Sequence, residues 1–89
     1  MNTYKLTIAT PDGNKFQGEV IGLFLRGAEG DLAILAGHMP FITSVQAGQC
    51  RIHLPDDDEK SATVDGGLLT VSAGAVTLLS GSFAWNTEE

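Results

Sequence analysis

A single cysteine, Cys50, stands in 89 residues, so the chain can form neither an internal disulfide nor a thiolate metal cluster. A lone thiol suits a reducing compartment. Basic side chains are also scarce. Lys5, Lys15, Arg26, Arg51 and Lys60 face eleven acidic residues, for a net charge of −6. The five cations are scattered and form no stripe that could neutralise phosphates. That argues against nucleic-acid binding and against a direct grip on anionic lipid. No apolar run approaches the roughly 18 residues of a membrane-crossing helix, so no direct membrane insertion is expected. The opening MNTYKLTIAT lacks the apolar core of a secretory leader. Helical period is the last absence: no window sustains an apolar spacing of 3.6 residues.

The period that is present is two. Tyr4, Leu6 and Ile8 alternate with Lys5, Thr7 and Ala9, which marks a half-buried strand. Pro11 to Asn14 (PDGN) follows with turn chemistry at each position. After Val20, FQGEVIGLFLRG is apolar on both faces and reads as a covered strand. Gly18 and Gly22 within it predict bulges or close contact. Gly27 to Asp31 (GAEGD) reads as a tight polar turn and DLAILAG as another short strand. TSVQAG leads into QCRIHLP, where Cys50, Ile52 and Leu54 share one face and Arg51 and His53 the other. PDDDE reads as an exposed acidic turn. SATVDGGLLTVSAGAVTLLSG reads as three short strands bent at Gly66-Gly67 and Ala73-Gly74. Hydrophobic residues make up 43% of the chain and charged residues 18%, a globular balance. The expected fold is therefore one all-β domain, an antiparallel sandwich or flattened barrel of about eight to ten short strands.

Chemistry-bearing motifs are few. Gly27-Ala28-Glu29-Gly30 has neither the lysine nor the following helix of a phosphate loop, and a β-turn explains its glycines. Neither His38 nor His53 sits in a triad setting. Cys50 alternates inward as a small hydrophobe. His38, His53 and Glu29 are the only set that could suggest a strand-borne metal site, but no close ligand pair accompanies them, and neither metal nor cofactor is expected. The acidic run Asp56 to Glu59 has no calcium-loop spacing. One stretch points elsewhere. In ILAGHMPFI (34–42), Gly37 and Pro40 bracket His38 in a rigid turn, with Met39, Phe41 and Ile42 beside it. Either these form a sticky partner surface, or Phe41 and Ile42 are core and only His38 is wet. Alternation puts one of Phe41 and Ile42 outward if the segment is extended.

These residues also carry a resemblance. Thr10-Pro11-Asp12-Gly13, Phe16 with Gly18-Glu19-Val20, and Gly27-Ala28-Glu29-Gly30-Asp31 match a pattern in order. So do Ile34-Leu35, Gly37-His38, Pro40, Thr43, Gly48, Gly66-Gly67 with Leu69 and Val71, and Val76 with Leu78-Leu79. Over nearly its whole length the chain resembles the N-terminal domain of the ATP synthase epsilon subunit. The resemblance implies a flattened β-sandwich of about ten strands. It also implies a non-catalytic part of the rotating central stalk, peripheral to the bacterial inner membrane on its cytoplasmic face, or to a plastid thylakoid. Its implied partners are the gamma subunit and the ring of c subunits, through which ion flow is coupled to ATP synthesis or hydrolysis.

By the same resemblance the turns at Gly27 to Asp31 and Gly37 to Pro40 lie at the end that meets the polar loops of the c ring. Those loops carry arginine in the family. Glu29, Gly30, Asp31, His38 and Met39 are then ring contacts, and Phe41, Ile42 and Val45 help build the gamma-facing surface. Ala36 replaces a common proline of the family and Ala33 a common glycine, replacements that imply a looser or reshaped turn at the ring contact. By the same resemblance, the family's regulatory helical hairpin is expected to be missing from this chain. Residues 1–85 are expected to form the sandwich. Residues 86–89 are expected to be the stub of a helix, since Asn86 and Thr87 are good N-caps and Glu88 and Glu89 suit a first turn; a frayed acidic tail is the other reading. A free-standing sandwich that binds carbohydrate or peptide is the alternative function. One Trp, one Tyr and four Phe make a poor aromatic platform for it.

Overall fold

The computed structural model describes residues 2–27, 30–37 and 39–86. Among them are eight strands and no helix: β1 (Tyr4–Thr10), β2 (Gly13–Val20), β3 (Gly22–Gly27), β4 (Gly30–Leu35), β5 (Phe41–His53), β6 (Glu59–Ser72), β7 (Ala75–Ser80) and β8 (Phe83–Trp85). They form one sheet in the order β2-β1-β7-β6-β5-β3-β4, with β8 also paired to β6. The sheet is folded over on itself. Tyr4 of β1 donates its hydroxyl to the Ile34 carbonyl of β4 at 2.7 Å, although the two strands are far apart in sheet order. Phe16 of β2 likewise meets Trp85 of β8, ring centroids 6.0 Å apart.

Strands β5 and β6 make the fold possible. They are long, pair along their whole length without losing register, and belong to both layers. Val45 faces the core in the first half of β5, and Cys50 and Ile52 in the second. In β6 the inward residues are Ala62 and Val64, then Leu69 and Val71. Inward parity thus switches in both strands, and the switches face each other, Val45 opposite Gly67 and Ala47 opposite Asp65. The core between the layers is filled by Leu6, Ile8, Val20, Leu23, Ile34, Ile52, Leu69 and Leu78, each almost fully buried.

The all-β sandwich expected from the period of two is present. About ten strands become eight because Gly48 and Gly66-Gly67 bend a continuing strand and do not end it. One pair departs from the antiparallel expectation: β1 and β7 run parallel. Of the bulges or close contact expected at Gly18 and Gly22, the bulge lies between Ile8 and Ala9 with Gly18 in regular register with Leu6, and the close contact is at Gly22, where a Cβ would come within 3.2 Å of Leu35 and Phe24.

Candidate functional site

Strands β3 and β4 close on each other at Gly27 and Gly30. Glu29 lies outside the described residues, as does His38. Asp31 stands directly opposite Arg26, and the two form an exposed ion pair, Nε to Oδ1 3.8 Å. Gly30 is exposed, and Met39 is 80% exposed. Strand β4 runs from the first of the two turns toward the second, and its five steps span about 16 Å.

The larger surface is the outer face of β5, β6, β7 and β1. Ile42 is 66% exposed, whereas Phe41 is half-buried against the core, so alternation divides them as the sequence required. Val45 is only 5% exposed and belongs to the core; its side chain offers no outer surface. Two residues missed in the sequence reading join Ile42: Leu68 at 43% and Leu79 at 48% exposure. Register places them. Ser44, Leu68, Leu79 and Ala9 lie side by side across β5, β6, β7 and β1. The next rung is Ile42, Thr70, Thr77 and Thr7. Leu68 therefore faces Leu79 directly and Ile42 across a diagonal of about 7–8 Å. The strip is apolar with a rim of threonine. The signal that could have found it is the doublets Leu68-Leu69 and Leu78-Leu79. Each breaks alternation, so one leucine of each must face out.

The opposite outer face mixes engaged charged side chains with Phe24 and the exposed Leu35. Arg51 lies 5.4 Å over the Phe24 ring and pairs with Glu59 at 3.5 Å. His53 stacks near Phe24 and lies 3.4 Å from the same carboxylate. Among the described residues no three His, Cys, Asp or Glu side chains gather as metal ligands. Cys50 is fully buried, and that burial pushes its thiol up to about 11, so little thiolate exists near neutral pH. The acidic turn 55–58 is exposed. Trp85 packs edge-on against Phe16 and Phe83 with Lys60 over its face. Asn86 is tied to β6 through the Ser61 and Thr63 side chains. The rest of the expected helix start, 87–89, lies outside the described residues.

Comparison with known proteins agrees with this architecture. The family described as ATP synthase, Delta/Epsilon chain, beta-sandwich domain matches residues 3–86. A curated relative, the sodium-ion-specific ATP synthase epsilon chain of Acetobacterium woodii, is 35% identical over 86 residues. The match covers 97% of this chain and 65% of that relative's length. A chain in the Euglena gracilis mitochondrial ATP synthase (OSCP/F1/c-ring, rotational state 1) superposes with a TM-score of 0.88 at 21% identity, covering 93% of this chain and 53% of that one. One in the Tetrahymena thermophila mitochondrial ATP synthase central stalk and c-ring gives 0.75 at 12% identity, covering 89% and 63%. At such identities these two show the fold alone.

Proposed function

The chain belongs to the ATP synthase delta/epsilon β-sandwich family, and from that membership we propose that it is a non-catalytic rotor subunit of the central stalk. It joins the gamma subunit to the c ring and couples ion translocation to ATP synthesis or hydrolysis. It sits at the membrane surface as part of the complex, on the cytoplasmic face of a bacterial inner membrane or at a thylakoid.

The observation that carries the reading is the apolar strip of Ile42, Leu68 and Leu79 on a stiff two-layer body. Apolar side chains gathered on one face and rimmed by hydroxyls are what a protein partner's interface core requires. The gamma subunit lies along this strip, with half-buried Phe41 at its margin and Val45 supporting it from the core. The ring contact uses Glu29, Gly30 and Asp31 at one turn and His38 and Met39 at the next. Its carboxylates give orientation and on-rate more than affinity. Strands hydrogen-bonded from edge to edge and a close-packed core hold the two contacts at a fixed separation, as torque transfer demands.

The test is co-purification. The chain should retain gamma on an affinity column, and the pair should bind the detergent-solubilised c ring. Asp31→Lys should weaken ring binding most at low salt while changing fold stability by no more than about 0.5 kcal/mol. Unchanged ring assembly after the charge reversal would remove the electrostatic contact.

A further inference from the structure

We propose that Arg26 is a built-in competitor that limits how tightly Asp31 holds a cationic partner. The inference rests on the reading of Asp31 as a ring contact and adds a residue that tunes it.

Arg26 and Asp31 are cross-strand neighbours in the β3–β4 hairpin, so the backbone itself presents one to the other. Their contact is a single one, Nε to Oδ1 at 3.8 Å, and not the two parallel bonds a guanidinium can offer a carboxylate. The side chains are 63% and 88% exposed. Such a pair is weak and opens readily. It is a poor stabiliser and an effective rival: any cation approaching Asp31 must displace a guanidinium already there and meets that guanidinium's charge on arrival. Arg51 lines the same open groove as Arg26, Asp31 and Gln49. In a chain of net charge −6, one of only five basic side chains is thus placed on the carboxylate meant for a positive partner.

The competitor has a size. Exposed pairs of this kind shift an equilibrium by a factor of about 1.5 to 5. Arg26→Gln should therefore raise affinity for the detergent-solubilised c ring about 1.5- to 5-fold at low salt. The gain should fade as the Debye length shrinks from about 10 Å at 0.1 M to about 3 Å at 1 M. In an Asp31→Asn background the gain from Arg26→Gln should vanish, because nothing is left to compete for. Unfolding midpoints of the variants serve as the folding control and should stay near that of the unmodified chain.

An equal gain in both backgrounds would show Arg26 acting only as general charge and would overturn the proposal. Lower affinity of Arg26→Gln would make Arg26 itself a partner contact, with the same consequence. If Asp31→Asn alone leaves ring affinity unchanged, the ring reading of Asp31 fails, and the competitor role fails with it.

Discussion

Gly67 has no room for a side chain. Its φ is +151°, and a Cβ there would overlap the Leu79 carbonyl oxygen. At Gly66, with φ +99°, a Cβ would come within 2.8 Å of the Val45 carbonyl oxygen. The pair lets β6 pass from one layer to the other against β5 and β7. Gly67→Ala should therefore cost about 2–4 kcal/mol, seen as a lower urea midpoint with an unchanged slope. Beside this corner Asp65 accepts hydrogen bonds from the Ser80 hydroxyl and the Ser82 amide, both at 3.1 Å. The Ser80 bond is the chief reason its carboxyl sits below the usual value. A folded value depressed in this way adds stability above the unfolded-state value of about 3.9, and the increment disappears as pH falls through the folded value. The urea midpoint of Asp65→Asn should lie below that of the unmodified chain at neutral pH. The gap should close as pH drops below about 4.

At the scale of elements, β7 and β8 behave as one strand kinked at Gly81-Ser82. Gly67 pairs with Ser80 and Ala62 with Trp85, so both segments keep a single register on β6. Ser80 is the only polar residue among the buried residues described, and it holds the kink. Its Oγ lies 2.6 Å from the Gly66 carbonyl, 2.9 Å from that of Ser82 and 3.1 Å from the Asp65 carboxylate. Ser80→Ala should cost about 1–3 kcal/mol. Its first effect should be local, because β8 is held mainly by this corner and by three rungs on β6. Trp85, the only tryptophan, reports it directly: its fluorescence should change at lower urea than the circular dichroism of the sheet. Coincident transitions would mean that β8 is not a separate unit.

These elements show what the sequence could and could not convey. Alternation in Tyr4, Leu6 and Ile8, in Cys50 and Ile52, and the turns at Pro11 and Ala73-Gly74 were readable because each depends on a few neighbouring residues. Gly66-Gly67 was readable as a bend. Whether it ended a strand was not, because two glycines serve a tight turn and a corner equally and the choice is made by β5 and β7 from outside. The parallel β1–β7 pair and the Tyr4–Ile34 bridge depend on residues tens of positions apart and leave no local trace. The Ile42 half of the apolar strip was legible from ILAGHMPFI; the leucine half needed the register of three further strands.

At the scale of the molecule, apolar residues divide into those that fill the core and those that are spare. Sixteen hydrophobic residues fill the core among those described, and Ile42, Leu68 and Leu79 are not among them. Removing a spare residue should cost the fold little and the complex much. Ile42→Asp and Leu79→Asp should each change unfolding free energy by about 1 kcal/mol or less, since Ile42 is mostly exposed and Leu79 about half exposed, while aspartate fits a strand poorly. Each should weaken gamma binding by at least about tenfold, because a carboxylate placed inside a desolvated interface finds no partner. Phe41→Asp makes the contrast. Its ring packs against the core, so the substitution should lower stability by about 2–4 kcal/mol before binding is considered. Titration calorimetry with purified gamma, run beside urea unfolding of the same samples, separates the two effects. If Ile42→Asp and Leu79→Asp fold normally and bind gamma at full strength, gamma sits on some other face. If instead they unfold, the strip is part of what holds the sandwich together.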